Sequence, residues 1–470
     1  MLFSTRVMTM ASGLRRMSSA NLPSHILRYP STKMTTLPSG LRVATQERHG
    51  NTASLGVWID TGSRFENANN NGVAHFLEHV LFKGTASRPQ AALELEIESL
   101  GAHLNAYTSR EMTAFYARAF ANDVPKAVDI IADILQRSAI SEAAVDAERQ
   151  VILREKQEVE NNHYEAVFDH LHAVAFQGSS LARNILGNEK NIRNMKRDDI
   201  VNYVNAFYTA PRMVVAAAGN IQHEKIVELV SRAFEKVPTV GSGPLLDASG
   251  HASAGKVRFV GADVRVRNDE MHEAHVAIGF EGASWVNPDS VPLMVAQTML
   301  GSWSRASGAA GANMGSKLVQ ALVADDLVSH VSAFNTCYKD TGLFGVYVVG
   351  KPGRLDDVAY EVMHELTRMC MKTTEEDVER AKAQLKAQAM MALDDNAAVC
   401  DDIGREVLAY GRRISPAEMF ALIDNVDAKV LRETMMKYVY DQEVSLAAIG
   451  PTESLPDLNR FRRLTYMLRY

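Results

Sequence analysis

The alternation of apolar and polar positions is clearest over residues 53–60, which reads as a half-buried strand, and a helical pattern follows from about Asn71. The same succession returns over residues 273–280, with a helical pattern from about Ser290. Each pass closes in the same way. An aromatic helix end, Tyr203 to Tyr208 in the first and Tyr438 to Tyr440 in the second, leads into an apolar run that stops near Gly219 or Gly450. A pattern met twice at a spacing of about 220–230 residues predicts two repeated domains, not a solenoid of short units.

Inside the first pass, residues 100–108 and 112–120 read as the two strands of a hairpin, with its turn over 109–111. Residues 141–176 read as one long helix. Ser141 can cap it, and Val145, Ile152, Val159, Val167 and Leu171 recur along it. The Gly-, Ser- and Pro-containing stretch 238–255 reads as a flexible linker. The expected architecture is α+β: two homologous domains, 30–237 and 256–470, each a mainly antiparallel sheet packed with helices.

Composition narrows the class. Cys337, Cys370 and Cys400 lie far apart and form no close pair, which argues against a disulfide framework and against a cysteine-held metal. No run of about 18 apolar residues predicts a membrane-spanning helix. A net charge of −6 gives no reason to expect nucleic-acid binding. The start of the chain differs from the rest. No Asp or Glu precedes Glu47, and residues 1–17 carry Arg6, Arg15 and Arg16 among Ser, Thr and Met. That is the composition of a mitochondrial transit peptide, with cleavage expected after Met17. Its removal takes three arginines from an already acidic chain, and an acidic surface attracts basic peptides.

The stretch His75-Phe-Leu-Glu78-His79 carries the candidate chemistry. On a helix, positions i, i+3 and i+4 share a face, so His75, Glu78 and His79 project together. Two imidazoles one turn apart can hold zinc, and a carboxylate beside them can take a proton from an attacking water. The order is H-x-x-E-H, the inverse of the H-E-x-x-H of most zinc peptidases. A catalytic zinc usually needs a third protein ligand. The expected long helix offers Glu148, Glu155, Glu158 and Glu160, and spacing alone does not choose among them.

Residues 71–85 resemble the active-site helix of the pitrilysin-like peptidases. The likeness is strongest to the beta subunits of the branch that processes mitochondrial presequences, and residues 410–414, 450–451 and 456–460 continue it towards the C-terminus. The resemblance implies a zinc metalloendopeptidase of the mitochondrial matrix that removes transit presequences from imported precursors. It implies Zn2+ on His75, His79 and Glu155, Glu78 as the catalytic base, and Glu148 as a supporting carboxylate. It implies that Asn105 and Ala106 pair with the substrate backbone and that Phe82 forms the pocket for the residue after the cut. Glu165 and Asp169 would bind the arginine upstream of it.

Single-chain members of the wider family carry an Arg and a Tyr in a second-half motif. The matching stretch, residues 321–330, has neither at the expected place, and no long glycine run occurs in this half. The resemblance therefore implies activity only as a heterodimer with a catalytically silent, glycine-loop-bearing alpha subunit. An alternative reading is a structural core subunit of respiratory complex III, a close relative on the matrix side of the inner membrane. A self-sufficient peptide-degrading enzyme is a third, less favoured by the same missing residues.

Overall fold

The alternating segments pair into two six-stranded sheets of the same plan. The computed structural model describes residues 26, 29–243, 257–308, 310–311 and 314–467. The expected transit peptide and residues 244–255 of the expected linker lie outside them. The first sheet holds β1 (Thr32–Thr36), β2 (Arg42–Glu47), β3 (Thr52–Ile59), β4 (His103–Thr108), β5 (Thr113–Phe120) and β6 (Met213–Gly219), in the order β1-β2-β6-β3-β5-β4. The second holds β7 (Asp263–Arg267), β8 (Ala274–Gly282), β9 (Ser302–Ser304), β10 (Val328–Cys337), β11 (Gly342–Gly350) and β12 (Ser445–Gly450), in the order β7-β12-β8-β11-β10-β9.

In each sheet one pair is parallel, β2 with β6 and β7 with β12, and the remaining pairs are antiparallel. β7, β12, β8, β11 and β10 therefore repeat the plan of β2, β6, β3, β5 and β4. The repeats differ at the last position. Among the described residues β4 ends its sheet as a free edge, whereas its counterpart β10 carries the short β9 beyond it. An edge strand presents unpaired backbone donors and acceptors.

Helices follow from the apolar periodicity. Those that matter here are α1 (Val73–Leu81), α2 (Val124–Arg137), α3 (Glu142–Asn161), α4 (His163–Ala175), α5 (Arg197–Phe207), α6 (His223–Ala233), α7 (Ser290–Leu300), α8 (Leu355–Met371) and α9 (Asn396–Tyr410). One core joins the first sheet to α1, α2, α5 and α6, through Leu55, Val57, Phe76, Leu77 and Ile131 among others. A second joins the other sheet to α7 and α8, through Val276, Ile278, Leu293 and Val362 among others.

The expected single helix over 141–176 is broken. Ser141 does cap its start, accepting from Ala144 N–H at 3.2 Å. Asn162, however, leaves helical geometry at φ −82, ψ 94, and serves as C-cap of α3 and N-cap of α4. The reason is tertiary. Val145 and Ile152 bury in the first core, while Val167 and Leu171 bury against Ala277, Leu343, Tyr347 and Ala447 of the second sheet. No straight helix could reach both, and Asn, a turn-former with a short polar side chain, sits at the bend.

α4 thus belongs by sequence to the first half and covers the outer face of the second sheet. The reverse holds for α9. It buries Val399, Cys400, Ile403 and Val407 on Ala44, Trp58, Val214, Ala216 and Ala218 of the first sheet. The two halves exchange equivalent helices. Small residues allow the close approach: a Cβ at Gly404 would lie 2.1 Å from Trp58 Cδ2, so α9 sits directly on the indole. Asp401 of α9 then accepts from Trp58 Nε1 at 3.1 Å and from the Tyr107 hydroxyl at 2.7 Å. The second half thereby holds the edge strand β4 in place.

Candidate metal centre

α1 is amphipathic in an unusual sense, since its apolar residues Val73, Phe76, Leu77, Val80 and Leu81 are fully buried and its polar face is largely covered as well. Its N-terminus needs partners for its free N–H groups. The carboxylate of Glu66, itself buried, supplies them. It accepts from Gly72 N–H and Ala74 N–H, both at 2.8 Å, and from Asn71 Nδ2 at 2.7 Å. Gly72, at φ +100, lies where a Cβ would meet the Leu186 carbonyl at 2.6 Å. The start of α1 is therefore fixed against two other segments.

The structure brings His75, His79 and Glu155 together, one candidate ligand atom from each lying within 4.8 Å of the others. Glu155 Oε1 lies 3.4 Å from His75 Nε2, and Glu155 Oε2 lies 3.0 Å from His79 Nε2. The second approach is off the N–H direction, and Glu155 Oε2 makes no hydrogen bond among the described residues. It is a charge contact between the imidazole and the carboxylate, two groups that can each offer a lone pair to a metal. Donor atoms bound to a tetrahedral zinc at 2.0–2.1 Å stand about 3.3 Å apart. The two separations, made through different oxygens of Glu155, lie to either side of that edge length, and with all three ligand atoms within 4.8 Å the donor set fits such an ion in type and is close enough to converge on one.

The electrostatics agree. His75 first, then His79, hold the Glu155 carboxyl well below the ordinary carboxylate range. Burial opposes a charge on His79, and the carboxylates of Glu155 and Glu148 outweigh it, raising its pKa. Glu148 stands behind the site. It is buried, its Oε2 lies 3.1 Å from His79 Nδ1, and its Oε1 lies 2.8 Å from Lys83 Nζ. A carboxylate on Nδ1 leaves Nε2 of the neutral imidazole free to ligate. Of the four glutamates the sequence offered, Glu155 and Glu148 reach the histidines.

Glu78 shares the face of the two histidines, and its Oε2 accepts from the Thr108 hydroxyl at 2.6 Å. Thr108 is the last residue of β4, so the candidate base is tied to the edge strand. Asn105 and Ala106 lie on that strand, where Ala106 N–H donates to Asn105 Oδ1 at 2.8 Å. Phe82 caps α1, packs partly buried against the first core and stands 6.2 Å from the Phe115 ring. Glu165 and Asp169 are on α4, beyond the break at Asn162 and not on the helix of Glu155.

Four further residues were not picked out as site residues from the sequence. Thr108 and Lys83 touch Glu78 and Glu148; Arg110, in the expected hairpin turn, pairs with Asp169. Tyr208 is buried close to Glu78, and burial followed by that carboxylate's charge pushes its phenol well above its ordinary value. Thr108 could have been found as the end of the alternating strand beside the motif. The others depend on contacts that spacing does not encode.

Two histidines and a glutamate around a further glutamate in the order H-x-x-E-H have the form of an inverted metallopeptidase motif, and the comparisons with known proteins give the family. Residues 42–189 match the insulinase family, peptidase family M16, and residues 194–385 match the peptidase M16 inactive domain. The chain belongs to the M16 peptidases, and it is an M16 metalloendopeptidase. It is similar to the probable mitochondrial-processing peptidase subunit beta of Arabidopsis thaliana, with 50% identity over 451 residues, 95% of this chain and 83% of the relative. It is 46% identical to mitochondrial-processing peptidase subunit beta of Bos taurus over 448 residues, covering 95% and 90%. Among solved structures it resembles a chain of complex III2 from Candida albicans, Inz-5 bound, at TM-score 0.82 and 27% identity, covering 93% of this chain and all of that one.

Proposed function

We propose that the chain is the zinc-bearing beta subunit of a heterodimeric processing peptidase in the mitochondrial matrix, cleaving presequences from imported precursors. The observation that carries this reading is the convergence of His75, His79 and Glu155 beside Glu78, next to the free edge strand β4. The names of the relatives support the substrate class and the compartment.

When bound, zinc would supply Lewis acidity, polarising the scissile carbonyl and making a nearby water more acidic. His75, His79 and Glu155 would hold it, with Glu148 orienting His79. The extended peptide adds to β4 and takes over the Ala106 N–H now covered by Asn105. Backbone pairing gives affinity without demanding a sequence, which suits substrates as varied as presequences. Glu78 takes a proton from the attacking water and passes it to the leaving amine. Thr108, by donating to Glu78, keeps its carboxylate facing the strand. Phe82 packs against the residue after the cut. Glu165 and Asp169 receive the upstream arginine.

A catalytically silent alpha subunit completes the substrate chamber. A second reading, a core subunit of respiratory complex III, has the fold likeness to the complex III2 chain in its favour. A purely structural subunit has no chemical need for two histidines and a carboxylate gathered at one point beside a further glutamate, and that favours the enzyme. The test is cleavage of an arginine-containing presequence peptide by the complex purified on a tag placed on this chain. Cleavage that a chelator abolishes and zinc restores supports the reading. Absent or chelator-insensitive cleavage contradicts it.

A further inference from the structure

The expected receptor for a substrate arginine, Glu165 with Asp169, is not a pair of free carboxylates. Asp169 Oδ1 accepts from Arg110 Nη2 at 2.7 Å. The Arg110 side chain is 11% exposed and that of Asp169 29%, so the ion pair is largely shielded while the carboxylate keeps part of its surface accessible. Glu165, one turn earlier on α4, is exposed and accepts from Asn162 Nδ2 at 3.1 Å.

The backbone of Arg110 is anchored. Arg110 is one of the two central residues of the turn between β4 and β5, and its carbonyl accepts from Arg64 N–H at 2.8 Å. Gly62 lets the turn approach, since a Cβ there would lie 2.3 Å from the Ser109 carbonyl oxygen. The next residue, Glu111, is buried, ion-paired with Arg64 and hydrogen-bonded by Lys339 N–H at 3.1 Å. A guanidinium on so fixed a turn aims the carboxylate it holds.

We infer that Arg110 is a positioning residue for substrate specificity, holding one oxygen of Asp169 so that the other, with Glu165, meets a substrate guanidinium. The inference rests on the processing-peptidase reading. Charge balance supports it. One arginine and two carboxylates leave a single uncompensated negative charge, matched to one incoming cation, and a planar fork bound on fixed oxygens distinguishes arginine from other residues. The same contact ties the acidic pair on α4 to the edge strand β4. The two substrate contacts, backbone on β4 and arginine on α4, are thereby set at a fixed spacing.

The experiment compares two presequence peptides on the purified complex, one with arginine two residues before the cut and one with alanine there. Arg110→Gln should raise KM for the arginine peptide about tenfold, the loss of one charge-assisted contact, with kcat within about twofold. KM for the alanine peptide should not move, and Arg110→Lys should recover part of the loss. The double variant Arg110→Gln with Asp169→Asn, which leaves no unpaired buried charge, should lose no more than Asp169→Asn alone. Equal losses on both peptides, or discrimination that survives Arg110→Gln, overturn the inference. A wild-type complex that cleaves both peptides alike overturns the acidic subsite and this inference with it, and leaves the peptidase standing. A wild type that cleaves neither overturns the proposed function itself.

Discussion

His79 Nδ1 lies 3.1 Å from the buried carboxylate of Glu148, whose other oxygen is 2.8 Å from Lys83 Nζ. The lysine neutralises the glutamate, and the glutamate fixes which imidazole nitrogen faces Glu155. Glu148→Gln should keep the fold and weaken metal retention about 10–100-fold, the usual cost of losing an outer-shell partner. Competition with a chromophoric chelator measures this without any substrate.

Gly404 sits in the middle of α9, flat against Trp58. Gly404→Ala puts a methyl where the indole already is. Overpacking of this kind costs about 1–3 kcal/mol. Thermal unfolding should show a lower midpoint, and since α9 carries Asp401, the Tyr107 contact that steadies β4 should loosen too. Faster hydrogen exchange over 103–108 checks the second effect.

The halves also meet through buried charges. Glu111 pairs with Arg64, Arg64 Nη2 reaches Asp340 at 2.7 Å, and Lys339 pairs with Asp60. Glu111→Ala leaves Arg64 buried with only its half-exposed partner Asp340. Breaking one side of a buried pair typically costs about 3–5 kcal/mol. Denaturant unfolding should register a loss of that order, well above that of Glu189→Ala, which breaks the exposed pair of Glu189 with Arg193 at 2.6 Å.

Burial raises the Glu66 carboxyl from 4.5 to about 7, against the lowering pull of Ala74 N–H, Gly72 N–H, Asn71 and Arg183. The folded chain therefore keeps a proton that the unfolded chain releases. Between about pH 4.5 and 7 the folded state binds more protons, so this group's contribution falls as pH rises through that window. The total is up to about 3 kcal/mol. Glu66→Gln should flatten the decline in unfolding midpoint between pH 5 and 7.

Much of this was legible along the chain. The helical spacing of His75, Glu78 and His79 places them on one face whatever lies around them, and the alternation over 112–120 requires a strand. The sheet duplication showed in its matching ends at Gly219 and Gly450. What could not be read was the exchange of α4 and α9. Val167 and Leu171 keep helical register with Val145 and Ile152, and periodicity says nothing of which sheet an apolar face will meet. The break at Asn162 follows from that unseen partner. Gly404 was the available signal, because a glycine inside a helix costs about 1 kcal/mol and marks a close approach. The Arg110–Asp169 pair joins residues 59 apart and left no trace in spacing.

The most direct measurement is presequence cleavage by the purified complex carrying Glu78→Gln, set beside the wild type with the zinc content of both determined. The amide keeps the shape of Glu78 and leaves His75, His79 and Glu155 untouched. Equal zinc with kcat lower by about 10²–10⁴-fold is the expected result, the loss of a general base. Unchanged cleavage by Glu78→Gln at equal zinc would contradict it, and would move the chemistry to another residue.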